Sequence, residues 1–176
     1  MILSDEALRF AEQFREITRN PEYMKLKDLP RHGSTNTYDH SVRVAYMAYR
    51  LAPRFGVDRR SAAYVGLVDY HKDDGTSHDG RWYCFYHGED AVENAAKQGF
   101  SLSKKERRAI LTHMFPLSTR LPNSRLAYLL TLSDKTVAAQ ESWQNALDAL
   151  ERFHFLMNAP FLRAIRVRKR DERERH

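Results

Sequence analysis

The 176-residue sequence predicts an all-α protein, and three observations carry that prediction. Glycine and proline are scarce, at seven and six, and most of the prolines sit where a helix should end. Apolar residues recur at steps of three and four through most of the chain. Runs that alternate apolar with polar residues, the mark of a half-buried strand, are nearly missing. A hydrophobic fraction of 42% is enough for the core of one ordinary domain.

Ser4, followed by Asp5 and Glu6, opens the first helix, whose apolar positions Leu8, Ala11, Phe14 and Ile17 keep helical spacing until Asn20-Pro21 ends it. Residues 22–36, with Pro30, His32 and Gly33, read as a connector. From about Thr37 to Arg54 a second helix places His40, Val44, Met47, Ala48 and Leu51 on one stripe, so His40 faces inward. A third helix spans about Asp58 to Tyr70, and 73–86 reads as a loop with a short aromatic stretch. A fourth starts near His87 and stops at Gly99, and a fifth begins with the capping box Ser103…Glu106 and runs to about Phe115, with Ala109, Ile110, His113 and Met114 on one face. The sixth, after Pro122-Asn123-Ser124, carries Ala127, Leu130, Thr131 and Asp134 on one face and reaches about Gln140. A last helix is expected from about Trp143 to Asn158, packed with the first on the outside of the bundle.

The net charge of +6 is concentrated at one end. Residues 161–176 hold seven basic side chains, from Arg163 to Arg175, against Asp171, Glu172 and Glu174, which leaves the body close to neutral. The chain therefore divides into a helical domain over 1–160 and a basic tail over 161–176. The tail lacks interleaved aromatics beyond Phe161, so it gives little reason to expect a nucleic-acid partner. The one cysteine, Cys84, has no partner for an internal disulfide, and no signal-like or membrane-spanning apolar run is present, which fits a cytoplasmic protein.

The chemistry is carried by histidines and carboxylates. Burying ionisable groups costs several kcal/mol unless they are paired or ligated. Repeated inward placement of His40, the Asp69/His71 region, His87, His113 and Asp134 on otherwise apolar faces therefore needs a reason, and a shared metal supplies one. A mixed His/Asp set suits Zn, Mn, Fe or Ni, with Mg a further candidate, and one or two ions are compatible with the count. His32, His78, His154 and His176 read as surface histidines.

His40 in Tyr-Asp-His-Ser-Val-Arg-Val-Ala, a carboxylate about 30 positions on, His87 in His-Gly-Glu-Asp-Ala-Val-Glu-Asn-Ala, His113 in Ile-Leu-Thr-His-Met-Phe-Pro-Leu and Asp134 in Leu-Ser-Asp-Lys follow a recognisable order. Over roughly 33–141 this order resembles the HD-domain superfamily of metal-dependent phosphohydrolases, in particular small bacterial members with two extra histidines after the central His-Asp pair. The resemblance implies an HD-domain-like bundle of about six or seven helices. It implies His40 and Asp134 as ligands of a first metal, and His87 and His113 as ligands of a second. It also implies a hydrolase acting on a nucleotide or other small phosphoester.

The sequence departs from that pattern at its centre, because it contains no adjacent His-Asp pair. Aligned without a gap from His40, the pair falls on Asp69 and Tyr70. With a deletion of about six residues, Val68-Asp69-Tyr70-His71-Lys72 matches the segment that follows the pair, more side chains are preserved, and the pair is gone. Under the first alignment Asp69 is a metal carboxylate and, with Lys135, a candidate catalytic group. His71 and Asp73 are possible substitute ligands from the loop. Lys72, Arg81 and Lys135 are the cations available to neutralise a phosphate, Lys135 foremost because the same Asp-Lys pairing recurs in the proteins it resembles. Trp82, Tyr83, Phe85 and Tyr86 either stack on a base or close the core beneath the loop. Without the pair, a catalytically impaired protein that binds metal or nucleotide as a sensor or interaction module is the alternative reading.

Overall fold

A computed structural model describes residues 4–32, 35–70 and 86–173, with side chains described outside 30–32 and 154–173. Among these residues the chain forms eight α-helices: α1 (Asp5–Gln13), α2 (Arg15–Thr18), α3 (Pro21–Met24), α4 (Thr37–Phe55), α5 (Arg59–Val68), α6 (His87–Lys97), α7 (Lys104–Thr112) and α8 (Arg125–Arg173). A single 3-10 turn (Lys25–Asp28) and a two-stranded antiparallel ribbon of β1 (Pro30–His32) and β2 (Thr35–Asn36) complete it. The fold is all-α, as the spacing of apolar residues predicts.

Local chemistry sets the helix starts. The side chains of Ser4, Asn20, Asn36, Asp58 and Ser103 each accept a backbone N–H in the first turn of the helix that follows, and Ser103 with Glu106 closes a full capping box. Asn20-Pro21 follows the helix end expected there, α2 stopping at Thr18, and also starts a new helix: Asn20 caps α3 and Pro21 takes its first position, where a missing N–H costs nothing. The connector expected over 22–36 is thus mostly ordered into α3, the 3-10 turn and the ribbon.

Instead of two helices separated near residue 141, α8 is one helix of 49 residues, about 74 Å long at 1.5 Å per residue. No glycine or proline lies between Gln140 and Trp143, so nothing interrupts the backbone there. The boundary expected at 160 between domain and tail also falls inside this helix. Beyond the body, Trp143, Leu150 and Phe153 are exposed, so this part of α8 does not pack on the bundle as expected.

The long hairpin of α4 and α5 forms the centre, and α8 lies across both while α7 bridges α6 and α8. One core cluster joins these helices through Val44, Ala48, Val65, Val68, Ala91, Ile110, Leu129 and Leu130. A second, richer in aromatics, seats Phe10, Phe14, Tyr23 and Leu26 of the N-terminal segments on Tyr49, Leu67 and Tyr70. The small residues set how closely the helices approach. A Cβ on Gly66 would stand 2.7 Å from Ala45 Cα, so α4 and α5 touch backbone to backbone there.

Tyr23 anchors the N-terminal segments within the second cluster, fully buried with its hydroxyl donating to the Leu67 carbonyl at 3.0 Å. Burial, reinforced by the neighbouring Tyr70 phenol, pushes its pKa well up. In the unfolded chain the phenol ionises near 10, whereas in the folded protein it stays protonated to higher pH. Stability from this group is therefore fully present below about pH 10 and is lost as the pH rises from there towards the folded value. Urea denaturation between pH 8 and 12 should show a falling midpoint only in the upper part of that range. Tyr23→Phe should flatten the fall at some cost in stability at neutral pH.

Candidate metal centre

Five elements deliver side chains to one end of the bundle. His40 lies one turn into α4, and Asp69 is the residue that caps the C-terminus of α5. His87 is the first residue of α6, His113 caps the C-terminus of α7, and Asp134 sits in the third turn of α8. All five are at most 6% exposed, which for these residue types demands partners.

They form two adjoining groups. In the first, His113 Nε2 lies 3.0 Å from Asp69 Oδ2 and His87 Nε2 lies 3.4 Å from Asp69 Oδ1. The two imidazole rings meet edge to face with centroids 5.2 Å apart. Ligand-capable atoms of Asp69, His87 and His113 all lie within 4.8 Å of one another, so this buried group could hold a metal ion. In the second, His40 Nε2 is 3.2 Å from Asp134 Oδ1, and Lys135 Nζ donates to Asp134 Oδ2 at 2.7 Å. The charge of His113 acts on both Asp69 and Asp134, which makes the two groups electrostatic neighbours.

The electrostatics keep both carboxylates ionised. Burial alone would raise the Asp69 pKa, but the charge of His113 and then that of His87 outweigh it and hold the carboxyl far below its ordinary range. Asp134 is held low in the same way, against burial, by His40, His113 and Lys135. His113 responds in the opposite sense: burial disfavours its charged form, yet Asp69 raises its pKa overall.

The donor set fits a metal on one further observation. His113 Nδ1 is 2.6 Å from the Ile110 carbonyl, which can only accept, so Nδ1 carries the proton and, in the neutral ring, the Nε2 lone pair faces Asp69. Asp69 Oδ1 has no hydrogen-bond partner among the described residues, despite complete burial. His113 Nε2 stands 3.0 Å from Asp69 Oδ2, so a cation that displaces the proton this pair otherwise shares meets two buried ligand atoms, with Asp69 Oδ1 beside them.

A comparison with protein-family models, with curated proteins and with solved structures finds no match. Asp69 points inward between two histidines, within 3.4 Å of His87 and 3.0 Å of His113. Tyr70, the other position of the missing pair, turns away into the aromatic core, with its ring centroid 5.5 Å from that of Tyr23. Lys135 stands at the rim, its side chain 31% exposed, its ammonium between Asp134 and, at 3.7 Å, Met114 Sδ. His71, Lys72, Asp73 and Arg81, the expected loop groups, lie outside the described residues. Among the described residues no helix is long and apolar enough to cross a membrane.

One buried group escaped the sequence reading. Glu141, 2% exposed, accepts from His40 Nδ1 at 2.8 Å and from Arg43 at 3.4 Å. It follows Asp134 by seven residues, two turns of one helix, and so shares its face. The signal was present in that spacing, and the helix break expected near residue 141 hid it.

Proposed function

We propose that the chain is a metal-dependent phosphohydrolase of the HD type, acting on a nucleotide or another small phosphoester. The observation that supports this best is the convergence of Asp69, His87 and His113 beside His40 and Asp134, five buried ligating side chains from five elements at one end of the bundle. Asp69, His87 and His113 would hold one divalent transition ion, and His40 with Asp134 would hold or share a second. Such an ion supplies Lewis-acid polarisation of a phosphoryl oxygen and activation of water for attack.

The protein's own groups do the rest. Asp69 and Asp134, ionised at neutral pH, offset the charge of the cation they face. Lys135, anchored on Asp134 at the exposed rim, presents a positive charge where a phosphate would enter, neutralising it as a point charge. The surrounding apolar core, with Leu129, Leu130 and Ile110 fully buried, excludes water and strengthens these interactions. The small phosphorylated substrate is the only partner this reading requires.

Tyr70 favours a second reading. A phenol packed into the core stands where proteins of this type carry the carboxylate of the central pair. Asp69 is then the sole carboxylate of its group among the described residues, and the protein would bind metal or nucleotide without turning it over. Metal analysis of the gently purified full chain, followed by assays with Mn²⁺, Co²⁺ or Zn²⁺ on nucleoside mono-, di- and triphosphates, separates the two. About one equivalent or more of metal together with turnover near 1 per second, abolished by Asp134→Ala, is expected for the enzyme. Metal binding without turnover establishes the binding module, and failure to bind any of the three ions rejects the enzyme and leaves nucleotide binding by the metal-free chain to decide the module.

A further inference from the structure

We infer that Glu141 is a positioning residue that fixes the tautomer of His40 and aims its Nε2 at the metal centre. The inference rests on His40 being a ligand, but its first observable, the tautomer, exists in the metal-free protein.

His40 is held between two carboxylates on one face of α8. Asp134 Oδ1 stands 3.2 Å from Nε2, and Glu141 Oε2 stands 2.8 Å from Nδ1. The shorter contact is to the residue farther from the Asp69 group. An ionised carboxylate only accepts, so the Nδ1 proton belongs to the bond with Glu141. Nε2 is then left either to share a second proton with Asp134 or to present its lone pair to a cation that Asp134 also faces. The other oxygen of Glu141 is itself occupied, 3.4 Å from an Arg43 guanidinium whose side chain is 59% exposed. Arg43 thereby neutralises Glu141 from the solvent side without entering the site, and the carboxylate cannot easily swing off His40.

A tie between α4 and α8 does not by itself require this chemistry. Burying a carboxylate costs several kcal/mol before any partner is counted, and an apolar pair of the same volume would join the helices as well or better. What the carboxylate adds is direction. A histidine whose outer nitrogen is committed to a carboxylate has a fixed ring plane and a more basic inner nitrogen, and losing such a partner weakens metal sites by about 10- to 100-fold.

The test uses the full chain with ¹⁵N-labelled histidine. Long-range ¹H–¹⁵N spectra of the metal-free protein should show the His40 proton on Nδ1 in the wild type and in Glu141→Gln, whose amide carbonyl still accepts. Glu141→Ala should release Nδ1 and let the ring donate from Nε2 to Asp134, with Co²⁺ affinity falling about 10- to 100-fold. Glu141→Gln should stay near wild type. Glu141→Met keeps the volume without the acceptor, and serves if the alanine variant does not fold. A wild-type His40 protonated on Nε2 alone would overturn the inference. So would a folded alanine or methionine variant with unchanged tautomer and unchanged Co²⁺ affinity. Wild-type protein that binds no Co²⁺ defeats the metal reading instead, and the tautomer spectra still decide the role of Glu141.

Discussion

Asp69→Asn is expected to lower the affinity for a divalent transition metal by at least about 100-fold, since the loss of a group merely hydrogen-bonded to a ligand already costs 10- to 100-fold. Asp69 lies within 3.4 Å of both His87 and His113 and is the only carboxylate of that group among the described residues. Asparagine keeps the shape and one carbonyl acceptor but removes the charge that offsets the cation. It also removes the charge that raises the pKa of His113, so that imidazole loses the partner that favours its charged form. The helical bundle should persist, because asparagine keeps the volume and one acceptor at the C-cap of α5 and the apolar clusters that pack the helices are unchanged. Titration calorimetry with Zn²⁺ measures the affinity, and far-ultraviolet circular dichroism reports the fold. A folded Asp69→Asn protein with wild-type Zn²⁺ affinity would remove Asp69 from the ligand set. A chelator should reproduce the stability side of the effect, lowering the melting temperature of metal-loaded wild type and leaving the variant unchanged.

How far the sequence discloses this site depends on what each residue's position rests upon. His40 was legible because it begins an unbroken apolar stripe, and α4 spans Thr37–Phe55 where a helix from about Thr37 to Arg54 is predicted. His113 was legible for the same reason, sharing a face with Ala109 and Ile110. Asp69 and His87 were harder, since one caps a helix end and the other starts a helix, where periodicity no longer says which way a side chain points. Their convergence is a tertiary fact, set by how α5, α6 and α7 meet. Glu141 was hidden by a helix boundary drawn where no breaker residue stands. The N-terminal connector was misread because Asn-Pro both stops and starts helices, and only the cap geometry of Asn20 distinguishes the two.

Gly88→Val is expected to disrupt the centre without replacing any ligand. Gly88 lies in the first turn of α6, directly after His87, and a Cβ there would stand 2.7 Å from the Ile110 carbonyl oxygen and 3.0 Å from Leu111 Cα. Both obstacles are backbone atoms of α7, so no side-chain rotation relieves them. The helices must separate, and overpacking of this kind costs typically 1–3 kcal/mol; a branched side chain belongs at the upper end. The Ile110 carbonyl is also the acceptor that holds His113 Nδ1 at 2.6 Å, so the same displacement rotates His113 while it lifts His87. Both histidines beside Asp69, two of the three members of that group, therefore move together, and metal affinity should fall about 100-fold, as far as for loss of a ligand-orienting partner. Gly88→Ala should give a smaller loss of both, with stability and affinity falling in step. Gly66→Ala provides the contrast: its Cβ would press on Ala45 of α4, so it should destabilise the bundle while leaving the α6–α7 contact intact. Chemical denaturation and Zn²⁺ titration of the three variants measure both quantities. If Gly88→Val lost stability yet bound Zn²⁺ as tightly as wild type, the close approach of α6 to α7 would be packing alone and not the support of the centre.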